Sequence, residues 1–152
     1  MKTIIRRIER KENEQVVIEC VEITPEIKDI YSYTMTKGTE LSGVVHGNII
    51  RFRLEDVCYF EAVDEKVFAY TRDEVYELKI RLYEVEEAYK KYHFIRCSKS
   101  MVINLMKLMS ISPALNGRFL AYMDNGEKIM ISRQYVSELK RAVMIGDVKD
   151  ER

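Results

Sequence analysis

Arg118-Phe119-Leu120-Ala121-Tyr122-Met123-Asp124-Asn125-Gly126-Glu127-Lys128-Ile129-Met130-Ile131 holds two short strand-forming runs around Asp124-Asn125-Gly126. Asn-Gly tolerates the positive φ angles of a tight primed turn, so the stretch predicts a β-hairpin with strands over 118–123 and 127–131. Working backwards, further strands are predicted over 94–97, 101–103 and 108–112. Working forwards, Ser132 can cap a final helix that carries Tyr135, Val136, Leu139 and Val143 on one face.

The first half of the chain has the same short rhythm. Residues 16–23, VVIECVEI, are rich in β-branched side chains and predict a strand. Thr24-Pro25-Glu26 has the form of an N-cap, a proline at the first helical position and an acidic first turn, so residues 25–36 predict a helix ended by Gly38. Strands are predicted over 40–45 and 49–54 around His46-Gly47-Asn48, over 57–62 and 67–72 around Val63-Asp64-Glu65-Lys66, and over 75–80. Leu82, Val85, Tyr89 and Tyr92 then switch to helical spacing, which predicts an amphipathic helix over 81–92. Many short strands with three short helices make an α+β protein dominated by antiparallel sheet. Strands and long helices do not alternate, so a parallel α/β architecture is not expected.

The 152 residues are 47% hydrophobic and 33% charged, enough apolar material for a core of one domain. No run approaches the ~18 apolar residues of a membrane span, and the basic start Met1–Arg7 lacks the apolar stretch of a signal peptide, so a cytoplasmic protein is expected. Cys20, Cys58 and Cys97 are odd in number, widely spaced and without CxxC pairing, and each sits in an apolar or strand-like context, which predicts buried free thiols rather than a metal or redox centre. Neither His46 nor His93 is tied to a nucleophile or a metal cluster. The adjacent pairs Asp64-Glu65 and Glu86-Glu87 diverge instead of converging on one site, as acid/base catalysis would need. No glycine loop cradles phosphate. The expectation is a protein that is not an enzyme, with no cofactor, no metal and no small-molecule substrate.

The formal net charge is zero, but it is unevenly placed. Residues 55–94 hold eleven acidic and six basic side chains, a net of −5, whereas residues 95–141 hold eight basic and three acidic, a net of +5. Within the basic part, Arg96-Cys97-Ser98-Lys99-Ser100 puts two cations and two hydroxyls at a strand-to-strand turn, and Ser132-Arg133-Gln134 opens the last helix. Hydroxyls, amides, Lys and Arg are the groups that grip phosphates and read base edges, and a helix start adds unpaired N–H donors. The plainer reading of each is a polar loop and a capped helix.

Three segments in order carry a family likeness. Asp56-Val57-Cys58-Tyr59-Phe60-Glu61-Ala62 resembles the "I-x-Y-F-E-S/A" strand that opens LytTR domains. Phe94 to Leu105, FIRCSKSMVINL, resembles their "F-x-R-x-H-[RK]-S-x-[IV]-[IV]-N" segment. Asn125 to Tyr135, NGEKIMISRQY, is similar to their "N-G-x-x-[IV]-x-[IV]-S-R" close. The resemblance covers roughly residues 44–145.

That resemblance implies about ten short strands in small antiparallel sheets, and loops entering successive major grooves of double-stranded DNA in place of a single recognition helix. Carried over by position, it assigns DNA contact to the Asp64–Val67 turn, the Arg96–Ser100 turn and the Ser132–Gln134 helix start, with Lys66, Arg96, Ser98, Lys99, Ser100, Ser132, Arg133 and Gln134 as the candidate residues. Asn104 is a motif residue, but an amide in an apolar run more often satisfies a buried backbone group. Ser98 stands where the family pattern has histidine, so that contact is changed in character. Some 45 residues precede the likeness, too few for a phosphorylated receiver domain, and the stand-alone form of the family is expected. The division expected is a strand–helix appendage over 1–38 that supports dimerisation or docks on the domain's edge, a DNA-binding domain over 39–146 and a tail over 147–152. The partners expected are repeated DNA half-sites, a second copy of the chain and room for a regulatory protein. The other class of reading is a protein-interaction module that uses strand edges and aromatic surface without DNA.

Overall fold

A computed structural model describes residues 1–145, and among these ten short strands fall in two runs of five, set off by three α-helices. The helices are α1 (Pro25–Thr36), α2 (Leu82–Tyr89) and α3 (Arg133–Ile145). The strands are β1 (Glu40–Val45), β2 (Asn48–Arg53), β3 (Val57–Val63), β4 (Lys66–Thr71), β5 (Val75–Leu78), β6 (Phe94–Arg96), β7 (Met101–Asn104), β8 (Leu108–Pro113), β9 (Phe119–Met123) and β10 (Lys128–Ile131). Seven form one sheet in the order β2-β1-β5-β4-β3-β7-β6, and three form a second in the order β10-β9-β8. The strand pairings are antiparallel throughout. The α+β, mainly antiparallel class expected from the sequence is the one observed. The expected tail over 147–152 lies outside the described residues.

The central strands explain the architecture. In β3 four successive residues, Val57 to Phe60, are buried, so both faces of the strand are covered. A register shift between Val57 and Tyr59 helps divide them. Val57 and Phe60 join a core with Leu54, Val67, Ala69, Leu82, Val85, Phe94 and Val102, roofed by α2. Cys58 and Tyr59 join a second core with Cys97, Ile103, Ala121, Met123, Ile129, Ile131 and Leu139, which fills the space to the small sheet and α3. In β7, Val102 and Ile103 likewise go one to each core, as the two-residue period of a strand requires. Gly43 on β1 has a packing reason: an added Cβ would stand 2.6 Å from Tyr76 Cβ, whose ring stacks on Phe52 at 4.0 Å.

Two expectations are corrected. Residues 16–23 form no strand; they run without regular structure, Val16, Val17 and Val21 are exposed, and Cys20 is for the same reason an exposed thiol and not the buried one expected. A β-branched run becomes a strand only against a partner that takes up its backbone bonds and covers a face, and this chain supplies none there. The helix expected over 81–92 ends at Tyr89 and is followed by a separate tight turn over Lys90–Tyr92, closed by His93 in the left-handed conformation (φ 68°). Helix α1 has the expected cap, with Thr24 Oγ1 accepting from the Ile27 N–H at 3.4 Å and Pro25 at the first position. It lies against the tight turns at Leu54–Asp56 and Lys90–Tyr92, where Tyr31 meets His93 ring to ring at 5.5 Å.

Candidate nucleic-acid interface

Antiparallel pairing determines which turns share an end of the molecule. Glu61 pairs with Met101, and the Ala62 N–H donates to the Ser100 carbonyl at 2.8 Å, so the β3–β4 turn lies beside the β6–β7 turn. On the other side the Ser132 N–H donates to the Cys97 carbonyl at 3.0 Å, which ties the start of α3 to that same turn. The three segments singled out in the sequence therefore meet at one end, and α1 lies at the opposite one.

The central turn is built to hold one shape. Cys97 N–H donates to the Met101 carbonyl at 3.0 Å, and Ser100 N–H donates to Ser98 Oγ at 3.2 Å. The Ser98 and Ser100 hydroxyls are 3.5 Å apart. Arg96 Nε donates to Glu86 Oε2 of α2 at 2.9 Å, and its Nη1 donates to the Lys99 carbonyl at 2.7 Å. The Arg96 side chain is only 15% exposed. It braces the turn from below, while Lys99 and Ser100 stand exposed above it. Cys97 is sealed in the core, and burial pushes its thiol up to about 12.

Lys66 is the first residue of β4, not a turn residue, and its Nζ is 3.0 Å from Glu77 Oε1 on β5. The turn itself is Asp64-Glu65, both at positive φ (49° and 66°), so this corner carries two exposed carboxylates beside the lysine. Ser132 precedes α3, and its carbonyl accepts from the Tyr135 N–H at 2.9 Å. Arg133 and Gln134, in the first turn of that helix, are exposed. Asn104 is buried: its Nδ2 donates to the Val57 carbonyl at 2.9 Å, and its Oδ1 accepts from the Met106 N–H at 3.0 Å. The amide is structural, as its apolar surroundings in the sequence suggested.

One segment carries no signal of its place in the sequence. The β8–β9 connection, Leu115-Asn116-Gly117-Arg118, reaches the same end, because a Cβ on Gly117 would lie 3.2 Å from Arg133 Cδ. Asn116 and Gly117 both have positive φ (59° and 72°), and Leu115, Asn116 and Arg118 are exposed. The Asn-Gly pair is a legible turn signal; that the turn reaches Arg133 is not legible.

Among the described residues no group of His, Cys, Asp and Glu is placed to hold a metal ion, and no helix is long and apolar enough to cross a membrane. Successive described helices are separated by strands, so they form no helix-turn-helix unit. Exposed cations and amides thus stand on hydrogen-bonded loops and one helix start at a single end of a β-rich α+β domain. Residues 47–144 match the family model described as the LytTr DNA-binding domain, and the chain belongs to that family. It is 31% identical over 111 residues to an uncharacterized HTH-type transcriptional regulator of Staphylococcus aureus (strain bovine RF122 / ET3-1), an alignment covering 73% of this chain and 75% of that one. It is 29% identical over 116 residues to the sensory transduction protein LytT of Bacillus cereus, covering 72% of this chain and 47% of that protein. Among solved structures it is similar to the LytTr DNA-binding domain of a methyl-accepting/DNA response regulator from Bacillus cereus. The TM-score is 0.64 at 29% identity, covering 68% of this chain and 94% of that one.

Proposed function

We propose that this DNA-binding protein acts as a sequence-specific transcription regulator, and that two copies occupy repeated half-sites. The observation that carries the reading is the backbone tie from Ser132 N–H to the Cys97 carbonyl, which holds Lys99 and the Arg133-Gln134 pair at one end of the domain. Lys99, a point charge, suits a phosphate; Arg133 and Gln134 suit guanine and adenine edges in a major groove. Arg118 and Asn116 extend the contact surface beside Arg133. Arg96 positions the turn, and Lys66, paired with Glu77 beside Asp64 and Glu65, lies at the margin. One small domain covers little DNA, so half-sites are expected near whole helical turns, roughly 10–10.5 base pairs or multiples, keeping both copies on one face.

Selection of bound sequences from random DNA at low salt tests this, followed by the same selection with Arg133→Ala and Gln134→Ala. The expected result is an enriched repeat with relaxed preference at one position per half-site for each variant. Failure to enrich any sequence overturns the reading.

A further inference from the structure

The strand expected over 16–23 and the outer edge of the large sheet are unpartnered halves of one pattern. Strand β2 is the terminal strand, and its side away from β1 faces no strand among the described residues. The two-residue turn His46-Gly47 makes Val45 and Asn48 a hydrogen-bonded pair, and the Leu54 N–H to Thr39 carbonyl bond (3.2 Å) continues that alternation. Ile49, Arg51 and Arg53 consequently present their backbone N–H and C=O outward. Ile49 is 79% exposed, and Ile50 is exposed as well. Residues Gln15-Val16-Val17-Ile18-Glu19-Cys20-Val21-Glu22-Ile23 have strand composition, yet they pair with no strand of the single chain, and Val21 is 98% exposed.

We propose that residues 16–23 of one copy add as an antiparallel strand to the β2 edge of a second copy, reciprocally, closing a two-fold dimer. Placing Glu19 opposite Arg51 sets the whole register. On that face Val21 then meets Ile49 and Val17 meets Arg53. On the other, Cys20 meets Ile50, Ile18 meets Phe52 and Glu22 meets Asn48. Apolar residues mostly oppose apolar ones and the acid opposes the base, as stable cross-strand pairs require. An open edge with no such partner is a liability that proteins usually block, and reciprocal addition blocks both edges at once. The proposal deepens the two-copy reading above. It is tested without DNA, so its failure leaves base reading by the loops standing.

The register puts Cys20 and Ile50 at a non-hydrogen-bonded pair, where the Cα atoms of facing strands lie about 4.5 Å apart, within disulfide reach. Ile50→Cys should give a covalent dimer under mild oxidation, and none once Cys20→Ser is added. Ile49→Cys, on the opposite face, should stay uncrosslinked. In sedimentation, Arg51→Glu should weaken self-association about tenfold or more, because two opposed pairs become repulsive, and Glu19→Arg in the same chain should restore it. In the Ile50→Cys variant, a disulfide that joins Cys20 to the introduced cysteine of the same chain overturns the exchange. So does a wild-type chain that stays monomeric at tens of micromolar, or an Arg51→Glu variant that associates as before.

Discussion

Truncating Arg96 to alanine separates a brace from a contact. The guanidinium makes two charge-assisted bonds, one to Glu86 Oε2 at 2.9 Å and one to the Lys99 carbonyl at 2.7 Å, from a side chain only 15% exposed. Bonds to charged groups contribute about 1.5–3 kcal/mol each when buried. Glu86 is partly solvated and recovers water when its partner leaves, so the sum is discounted to about 2 kcal/mol. At roughly 2–4 °C per kcal/mol for a domain of this size, the melting temperature should fall by about 4–8 °C. DNA affinity should weaken for all sequences alike, because the turn loses its support, while the slope of log affinity against log salt stays as in wild type. Lys99→Ala gives the complement. Its melting temperature should move by less than the ~0.5 kcal/mol typical of surface changes, and the slope should drop by about 0.9, because one phosphate is no longer neutralised. Thermal melts and salt titrations on one half-site duplex read both quantities. If Arg96→Ala lowers the slope and leaves the melt untouched, Arg96 contacts phosphate and the bracing argument is wrong.

Asn104→Ala takes the amide away from the buried Val57 carbonyl and the half-buried Met106 N–H, and a loss of about 2–4 kcal/mol is expected in urea unfolding; a loss under about 1 kcal/mol would show that water or backbone shifts replace the amide. Gly117→Ala meets both a positive φ of 72° and the Arg133 side chain at 3.2 Å. It should cost on the order of 1 kcal/mol in stability and should change preference at the Arg133 position; an unchanged selected sequence refutes that coupling. The Cys97 thiol, pushed up to about 12 by burial, is protonated in the fold well above the pH at which an unfolded thiol ionises. Its contribution is complete below about pH 8.5 and declines as pH rises from there toward the folded value, because the unfolded state then binds fewer protons. Cys97→Ala should flatten that alkaline decline, and alkylation of the native wild type near neutral pH should label Cys20 alone, since Cys58 is also buried and raised to about 11.

Local signals in this chain are legible where the physics is local. Asp124-Asn125-Gly126 and the Thr24-Pro25 cap specify local backbone geometry, and both the hairpin and the cap form where the sequence puts them, although only Gly126 (φ 86°), and not Asn125, takes the positive φ expected of a primed turn. The run at 16–23 misleads because strand formation is a property of two strands, and one sequence cannot show whether the second is present. The continuous burial of β3 is legible only after folding, for its residues divide between two cores that lie on opposite faces of one sheet. Among the candidate contacts, residue type nominates Arg96 and Lys99 equally. What separates them is Glu86, ten positions earlier on α2, whose carboxylate takes the arginine and leaves the lysine facing outward. The Gly117–Arg133 approach is invisible for the same reason: it joins two loops through tertiary geometry alone.

The arrangement also dictates how recognition can change without loss of the fold. Lys99 lies on a turn of the large sheet and Arg133 in the helix that follows the small one, yet main-chain bonds hold both: Ala62 N–H to the Ser100 carbonyl seats the turn on β3, and Ser132 N–H to the Cys97 carbonyl ties the helix start to it. Main-chain donors and acceptors are present whatever side chain a position carries, proline aside. Replacing Lys99, Ser100, Arg133 or Gln134 therefore leaves the scaffold that spaces them intact, and the exposed side chains contribute little to stability. Below them the constraint reverses, because Arg96, Cys97 and Asn104 fill buried space or satisfy buried groups, and a change there moves the turn as a unit. Exchanges at Arg133 and Gln134 should shift the selected DNA sequence at constant melting temperature, exchanges at Lys99 should weaken binding to all sequences alike, and exchanges at the buried positions should shift the melting temperature at constant sequence preference. A substitution at Arg133 that unfolds the domain, or one at Asn104 that only alters base preference, would show that spacing and reading are not divided in this way.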